Sequence, residues 1–345
     1  MKQYHEILPE DYFNNLYKFI SQDINKTDNV LISVLKGCGS KTSFLFLRKH
    51  LLQNKVAETI HLFDLFLQNN NKQSLREVIS DAKVGDLLVI RNLHLSSNPQ
   101  DFLEELNSLL LDKDFKLPVL AFANHEGIVS PNKYSAKSTP FFSKKYNLTP
   151  FSMEELIRMI EISSDYYNWD INPNEYDTLY KLSGGNPRLV KHICINNVEQ
   201  GIKYSDLETN INDATNNYEL AYLAELYVKY DKANLTKLGI TDNEGKIKSL
   251  LFVEYLKTLN SDFIEKLFPH LSDLEIKVLS ILFLNLNQIV RIEKIGDIIY
   301  PDPDDYSLWA IYKLISRLKP KVKSQFIIDN VKGKGYIMRA KPTLE

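Results

Sequence analysis

Cysteine is nearly absent from this 345-residue chain, which has only Cys38 and Cys194, far apart. Two such residues build neither a disulfide framework nor a paired-cysteine metal site. Glycine and proline are also sparse, at 12 and 13, which excludes collagen-like and low-complexity chains and leaves room for long helices. No apolar run approaches the roughly 18 residues of a membrane span. The strongest, Val278 to Leu286, is interrupted by Ser280 and Asn285. The opening residues Met1 to Glu6 lack the apolar stretch of a leader peptide, so a cytoplasmic chain without a membrane partner is expected. Nor is there a large excess of one charge, the formal net charge being −2.

What is present is the balance of a globular protein, 44% hydrophobic and 25% charged, with a length that suggests two or three domains. Charge is unevenly placed. Between Tyr306 and Lys341 nine bases stand against one acid, Asp329, a formal +8 that leaves −10 for the rest. A tail of that kind is built to meet an anion.

The hydrophobic pattern divides the chain in three: residues 1–150, 151–268 and 269–345. In the first part the initial thirty residues read as a helix through Leu8, Tyr12, Leu16, Phe19 and Ile20. Apolar runs at 30–35, 58–63, 86–90 and 118–123 then read as strands, alternating with helices at 42–53, 74–84 and 101–111. That alternation predicts an α/β fold with a parallel sheet covered on both faces. From 151 the pattern is helical: 152–163, 174–182, 187–198, 205–230 and 246–268, with polar Lys229 to Gly245 read as a linker. No repeat is visible.

The last part opens with a capping box, Ser272 followed by Glu275. A second helix, Ile292 to Ile299, stops before Pro301. A third, Tyr306 to Lys319, turns Trp309, Leu314, Ile315 and Leu318 to a core and is closed by Pro320. Phe326 to Arg339 alternates about Gly333 and Gly335 as a hairpin. Three helices and a basic hairpin make a small winged helix-turn-helix, whose third helix fits the major groove while cations neutralise phosphate. The segments Ile315 to Val322 and Val331 to Tyr336 resemble the recognition helix and wing of OmpR/PhoB-type effector domains over residues near 271 to 340. That resemblance implies double-stranded DNA as partner, with Lys313, Arg317, Lys319 and Lys321 contacting it from the helix and Lys332 and Lys334 from the wing. Pro320 departs from the family, which continues its helix with a basic residue there, so base preference is unreadable. A solvated cationic face that serves protein contacts is the alternative.

At the front, the run 30–35 enters the turn Lys36-Gly37-Cys38-Gly39, followed by Ser40, Lys41 and Thr42. A glycine turn opening a helix can cradle phosphate with backbone N–H groups, Lys adds charge, and Ser/Thr can ligate Mg²⁺. The full pattern G-x-x-x-x-G-K-[ST] is not met, because Leu35 and Ser40 occupy its two glycine positions. A turn that merely joins strand to helix would account for the same residues.

Residues 10 to 200 nevertheless resemble the AAA+/STAND ATPases through three further features: Asn124 ending the fourth strand, the run Asn147 to Leu156, and Leu182 to Lys191. The resemblance implies a P-loop NTPase-like domain with a helical lid, binding ATP or ADP, with Mg²⁺ left open. Its nucleotide-binding residues would be Gly37, Gly39, Ser40, Lys41, Thr42, Asn124, Pro187 and Arg188. Asn124 would be the sensor on the fourth strand, Pro187 would touch adenine, and Arg188 would approach the terminal phosphate. Pro187 also suits any helix start, and Arg188 any surface.

The carboxylates that the resemblance implies after the third strand are replaced by Arg91 and Asn92, and Arg91 would add positive charge at a place that normally binds a cation, which disfavours Mg²⁺. Phosphoryl transfer to water needs a metal ligand and a group that positions the nucleophile, so weak or absent hydrolysis is expected and no catalytic residue is assigned. Asp86 lies at the wrong end of its strand, and Glu104, Glu105 and Glu126 read as surface charge. His94 and His125 lack ligand spacing, and Cys38 reads as a turn filler, so no metal site is expected.

Three functions follow. The first is a DNA-binding regulator whose degenerate AAA+/STAND module binds nucleotide or a partner, a regulatory protein or a further copy of the chain, to control assembly on DNA. The second is an active DNA-associated ATPase of a mobile-element or defence system. The third is a nonenzymatic scaffold.

Overall fold

The computed structural model describes residues 3–13, 15–68, 74–136, 140–299 and 307–341. Contacts divide the chain into two compact units: Met1–Tyr180 with Gly185–Glu199, and Lys181–Gly184 with Gln200–Glu345.

The first unit is built on five parallel strands, β1 (Val30–Val34), β2 (Ile60–Asp64), β3 (Leu87–Arg91), β4 (Val119–Ala123) and β5 (Lys144–Leu148), in the order β2-β3-β4-β1-β5. All five positions of β1 and of β4 are buried, as continuous apolar runs inside a two-sided sheet must be. One face carries Leu31, Ile90 and Ala121 against Leu103, Leu106 and Tyr134. A parallel five-stranded sheet with helices on its faces is the P-loop NTPase-like α/β fold the resemblance implies. Its strand order sets β1 between β4 and β5 and places the glycine turn at that strand's carboxyl end, the edge at which open α/β sheets bind ligands.

Two expectations for this unit are corrected. The initial helix is two, Tyr4–Ile7 and Leu16–Asn25, because Pro9 has no N–H to continue the first and Asn15 takes a left-handed φ of 63°. A fifth strand, β5, joins β1, with Leu35 N donating to Leu148 O just beyond it. Its Lys-Lys-Tyr-Asn run is largely exposed at the sheet edge, so it carries no buried-strand pattern.

In the second unit, the helix expected over 205–230 is broken into Leu207–Asn212 and Ala214–Lys229. Asp213 stands between them and caps the second by accepting from Thr215 N and Asn216 N. The expected linker holds a helix, Lys232–Lys237, and buries Leu235, Leu238 and Ile240. Leu250–Leu267 follows.

Beyond it come the helices Asp273–Leu284, Ile292–Ile299 and Leu308–Val322, with β6 (Ile289–Arg291) after the first and the hairpin β7 (Phe326–Val331) and β8 (Gly335–Ala340) after the last. These strands form an antiparallel sheet in the order β6-β8-β7. The Ser272–Glu275 capping box is formed. Pro301 and Tyr306 lie outside the described residues.

Two expectations about the third helix are corrected. Trp309 is 70% exposed. The buried stripe is Ile311, Leu314, Ile315, Leu318 and Val322, and Trp309, two residues before it starts, is roughly 200° away around the helix. Pro320 does not end the helix, which runs to Val322. Proline removes one hydrogen bond so near the C-terminus, while Val322, fully buried, holds the final turn in place.

Candidate functional site

After β1 the chain turns through Gly37 and Gly39, with φ of 85° and 90°, a region that L side chains avoid and glycine enters freely. Gly39 is the N-cap of the helix Ser40–Gln53 and offers no side chain to its first N–H groups. These groups and the positive end of the helix are what anions bind. Cys38 is fully buried beneath the turn.

A cavity of about 480 Å³ opens over this turn. Its walls include Lys36, Gly37, Gly39, Ser40, Lys41 and Thr42 from the turn, and Arg91 from the end of β3. Pro187, Arg188, Lys191 and His192 come from the helix Pro187–Gln200, and Tyr4, Tyr12, Phe13, Phe151 and Tyr167 supply aromatic surface. Five cationic side chains line the cavity, with no carboxylate among its lining residues.

The segment that leads into the helix Pro187–Gln200 is fixed by backbone contact. Phe151 N donates to Gly185 O at 2.8 Å. A Cβ on Gly185 would stand 2.2 Å from Phe151 O, and its φ is +83°. Asn186 accepts from Arg188 N and Leu189 N and so starts the helix that carries Arg188 and Lys191.

The aromatic side is held as firmly. The Tyr4 hydroxyl lies 2.9 Å from Ser163 Oγ and 3.4 Å from the Tyr12 hydroxyl. Burial raises both phenols above the usual tyrosine range, Tyr12 well above, so both remain neutral donors. Tyr167 stacks on Trp169 with 4.8 Å between centroids, and Lys191 Nζ donates to its hydroxyl at 2.8 Å.

Arg91 is anchored from behind. Its Nη1 lies 3.2 Å from Asp64 Oδ2, and its guanidinium sits 4.7 Å over the Phe44 ring. Asn92 Nδ2 donates to Asp64 Oδ1 at 2.7 Å, and Phe66 N donates to the same oxygen at 3.0 Å. Asp64, buried at the end of β2, thus binds both residues that replace the expected carboxylates. Two other acids named from the sequence are engaged elsewhere: Asp86 accepts from His61 at 2.8 Å and from Lys83 N, and Glu126 pairs with Lys133 at 2.8 Å.

Of the residues expected to bind nucleotide, Gly37, Gly39, Ser40, Lys41, Thr42, Pro187 and Arg188 meet at the cavity. Asn124 does not line it; its Oδ1 accepts from Glu126 N and the Tyr134 hydroxyl. Sequence reasoning missed Lys191, Tyr4, Tyr12 and Tyr167; Arg91, expected to bring positive charge where a cation ordinarily binds, does line the cavity. Burial pushes the His94 imidazole below the usual histidine range. Among the described residues no group of three or more His, Cys, Asp or Glu could hold a metal, and no helix is long and apolar enough to cross a membrane.

In the second unit, Lys313 and Arg317 lie on the exposed face of the helix Leu308–Val322 with Trp309, Tyr312 and Ser316. Lys313 Nζ stands 4.7 Å over the Trp309 ring and Lys319 Nζ 5.9 Å over Tyr336. Lys332 and Lys334 are exposed at the hairpin turn. Lys321 differs: its ammonium lies 2.7 and 2.8 Å from the two oxygens of buried Glu275 and ties the helix Asp273–Leu284 to the third helix. Burial pushes the Glu275 carboxyl up, but the Lys321 ammonium and Ser272 outweigh it and hold the group below its ordinary range.

No protein-family model and no curated protein matches the chain. Similar solved structures include the RuvB Holliday junction branch migration motor of Thermotoga maritima, 14% identical over 97% of this chain and 95% of that one, with a TM-score of 0.42. The ORC1 protein of Aeropyrum pernix in complex with DNA is 10% identical over 97% and 90%, with a TM-score of 0.35. Domain III of the Thermotoga maritima replication initiation protein DnaA is 10% identical over 60% and 93%, with a TM-score of 0.45. At such identities the likeness is one of fold and says nothing of this chain's ligands or partners.

Proposed function

We propose that this protein is a DNA-binding regulator of the winged-helix kind, controlled by ATP or ADP held in the cavity over the glycine turn, with little or no hydrolysis. The observation that carries the nucleotide reading is the composition of that cavity. Lys41 and the helix N-terminus stand at a glycine turn, further cations and aromatic rings surround it, and no carboxylate lines it. Cations and N–H groups suit a polyphosphate, and rings suit a base. Hydrolysis needs a residue that positions water, and Arg91 and Asn92 stand where that acid and the metal ligand belong.

The DNA reading is supported by Lys313 and Arg317 on one exposed helix face and Lys332 and Lys334 at the hairpin turn. Cations so placed neutralise phosphate along a duplex. Nucleotide state then sets whether copies of the chain, or a regulatory protein, assemble on DNA.

Nucleotide titration followed by phosphate release tests the first part. Saturable binding without turnover supports the regulator; steady phosphate release would make the protein an ATPase. Duplex affinity that survives combined Arg317→Ala and Lys332→Ala substitution would count against the DNA reading.

A further inference from the structure

Sites of this fold ordinarily receive the triphosphate with Mg²⁺, held by a Ser/Thr hydroxyl and a carboxylate at the strand ends. The residues here do not fit that ion. The end of β3, separated from β1 by β4, brings Arg91 to the cavity. Asn92 turns its amide nitrogen to Asp64. Asp64, the carboxylate standing beside them in the β2–β3 register, has both oxygens taken by Arg91, Asn92 and Phe66 N and does not line the cavity. A dication would meet the Arg91 guanidinium with no carboxylate facing it, since Asp64 is engaged behind the arginine and does not line the cavity, and like charges at close range in a partly buried site repel.

Arg91 is also unlike a mobile surface arginine. Asp64 holds one side of it and the Phe44 ring lies beneath, so its charge is fixed before any ligand arrives. A planar guanidinium offers paired donors to phosphate oxygens. Metal-free ATP carries two more negative charges than its magnesium complex, and the lining cations Lys36, Lys41, Arg91, Arg188 and Lys191 supply the opposite sign.

We infer that the cavity takes its nucleotide as the metal-free polyanion, with Arg91 standing in for the cation. This rests on the nucleotide reading above but makes a separate demand. The test is equilibrium titration of ATP into the full chain, once with excess EDTA and once with excess Mg²⁺, read by calorimetry. Affinity in EDTA equal to or tighter than in Mg²⁺ is expected, and weaker binding in EDTA overturns the inference while leaving nucleotide binding intact. Absence of binding in both buffers removes the nucleotide reading and this inference with it.

Arg91→Gln is expected to weaken binding in EDTA by about tenfold, with Arg91→Lys recovering part of the loss. Unchanged affinity in a folded Arg91→Gln chain would take the role from Arg91. The wild-type comparison decides the metal question even if that variant fails to fold.

Discussion

Asp64 and Arg91 stand opposite one another in the register of β2 and β3, and their side chains meet at 3.2 Å. A carboxylate on the neighbouring strand thus anchors a cation at the end of β3. Removing that anchor leaves Arg91 and Asn92 without their acceptor. Asp64→Ala is expected to destabilise the first unit by about 2 kcal/mol, measured as a shift in denaturant midpoint, and to weaken nucleotide binding by freeing Arg91. An unchanged midpoint would show that the pair contributes nothing to the fold.

Glu275 and Lys321 give the second unit a pH dependence of known sign. The folded carboxyl titrates below its unfolded value, so the pair stabilises fully above the ordinary glutamate range and is lost as pH falls through the folded value. Lys321→Met is expected to cost about 2 kcal/mol at neutral pH, through the unpaired buried carboxylate. The gap to wild type should close as the carboxylate is protonated. Urea unfolding of both chains across pH 3 to 7 checks this, and a gap that widens in acid would contradict it.

The same ion pair separates two lysines in DNA binding. Lys334→Ala should weaken affinity for every duplex and lower the salt slope by about one. Lys321→Met should leave the slope unchanged, since its ammonium is already held by Glu275. Fluorescence anisotropy at several salt concentrations reads both, and a loss of slope in the Lys321 variant would place that side chain on DNA after all.

Trp309 is exposed on the cationic helix face whereas Trp169 is buried, so a neutral quencher reports mainly on Trp309. Duplex DNA is expected to protect that fluorescence from acrylamide. Trp309→Ala should change stability by less than about 0.5 kcal/mol, as surface positions do. Unprotected fluorescence at saturating DNA would move the interface off this face.

Much of the fold was legible because buried parallel strands leave unmistakable apolar runs. β1 to β4 and the capping box at Ser272 announced themselves locally. What escaped depends on neighbours distant in sequence. β5 is a strand because β1 offers it a partner, and its own residues are polar. Tyr4 reaches the cavity only because Pro9 and Asn15 break the first helix. Asp64 reads as an ordinary strand-end acid until the register sets it beside Arg91. Trp309 was misread because a large aromatic suggests a core, whereas phase relative to Ile311 and Leu314 decides which way it points. The candidate site was therefore partly readable: the glycine turn, Lys41, Pro187 and Arg188 from sequence, Lys191 and the rings from the fold.

The central claim is that the cavity over the glycine turn holds a nucleotide through Lys41. Equilibrium dialysis of ATP against wild type and Lys41→Ala tests it most directly. One saturable site per wild-type chain, with affinity reduced at least about tenfold in the variant, is the predicted result. Equal binding by the two chains, or none by wild type, would contradict it.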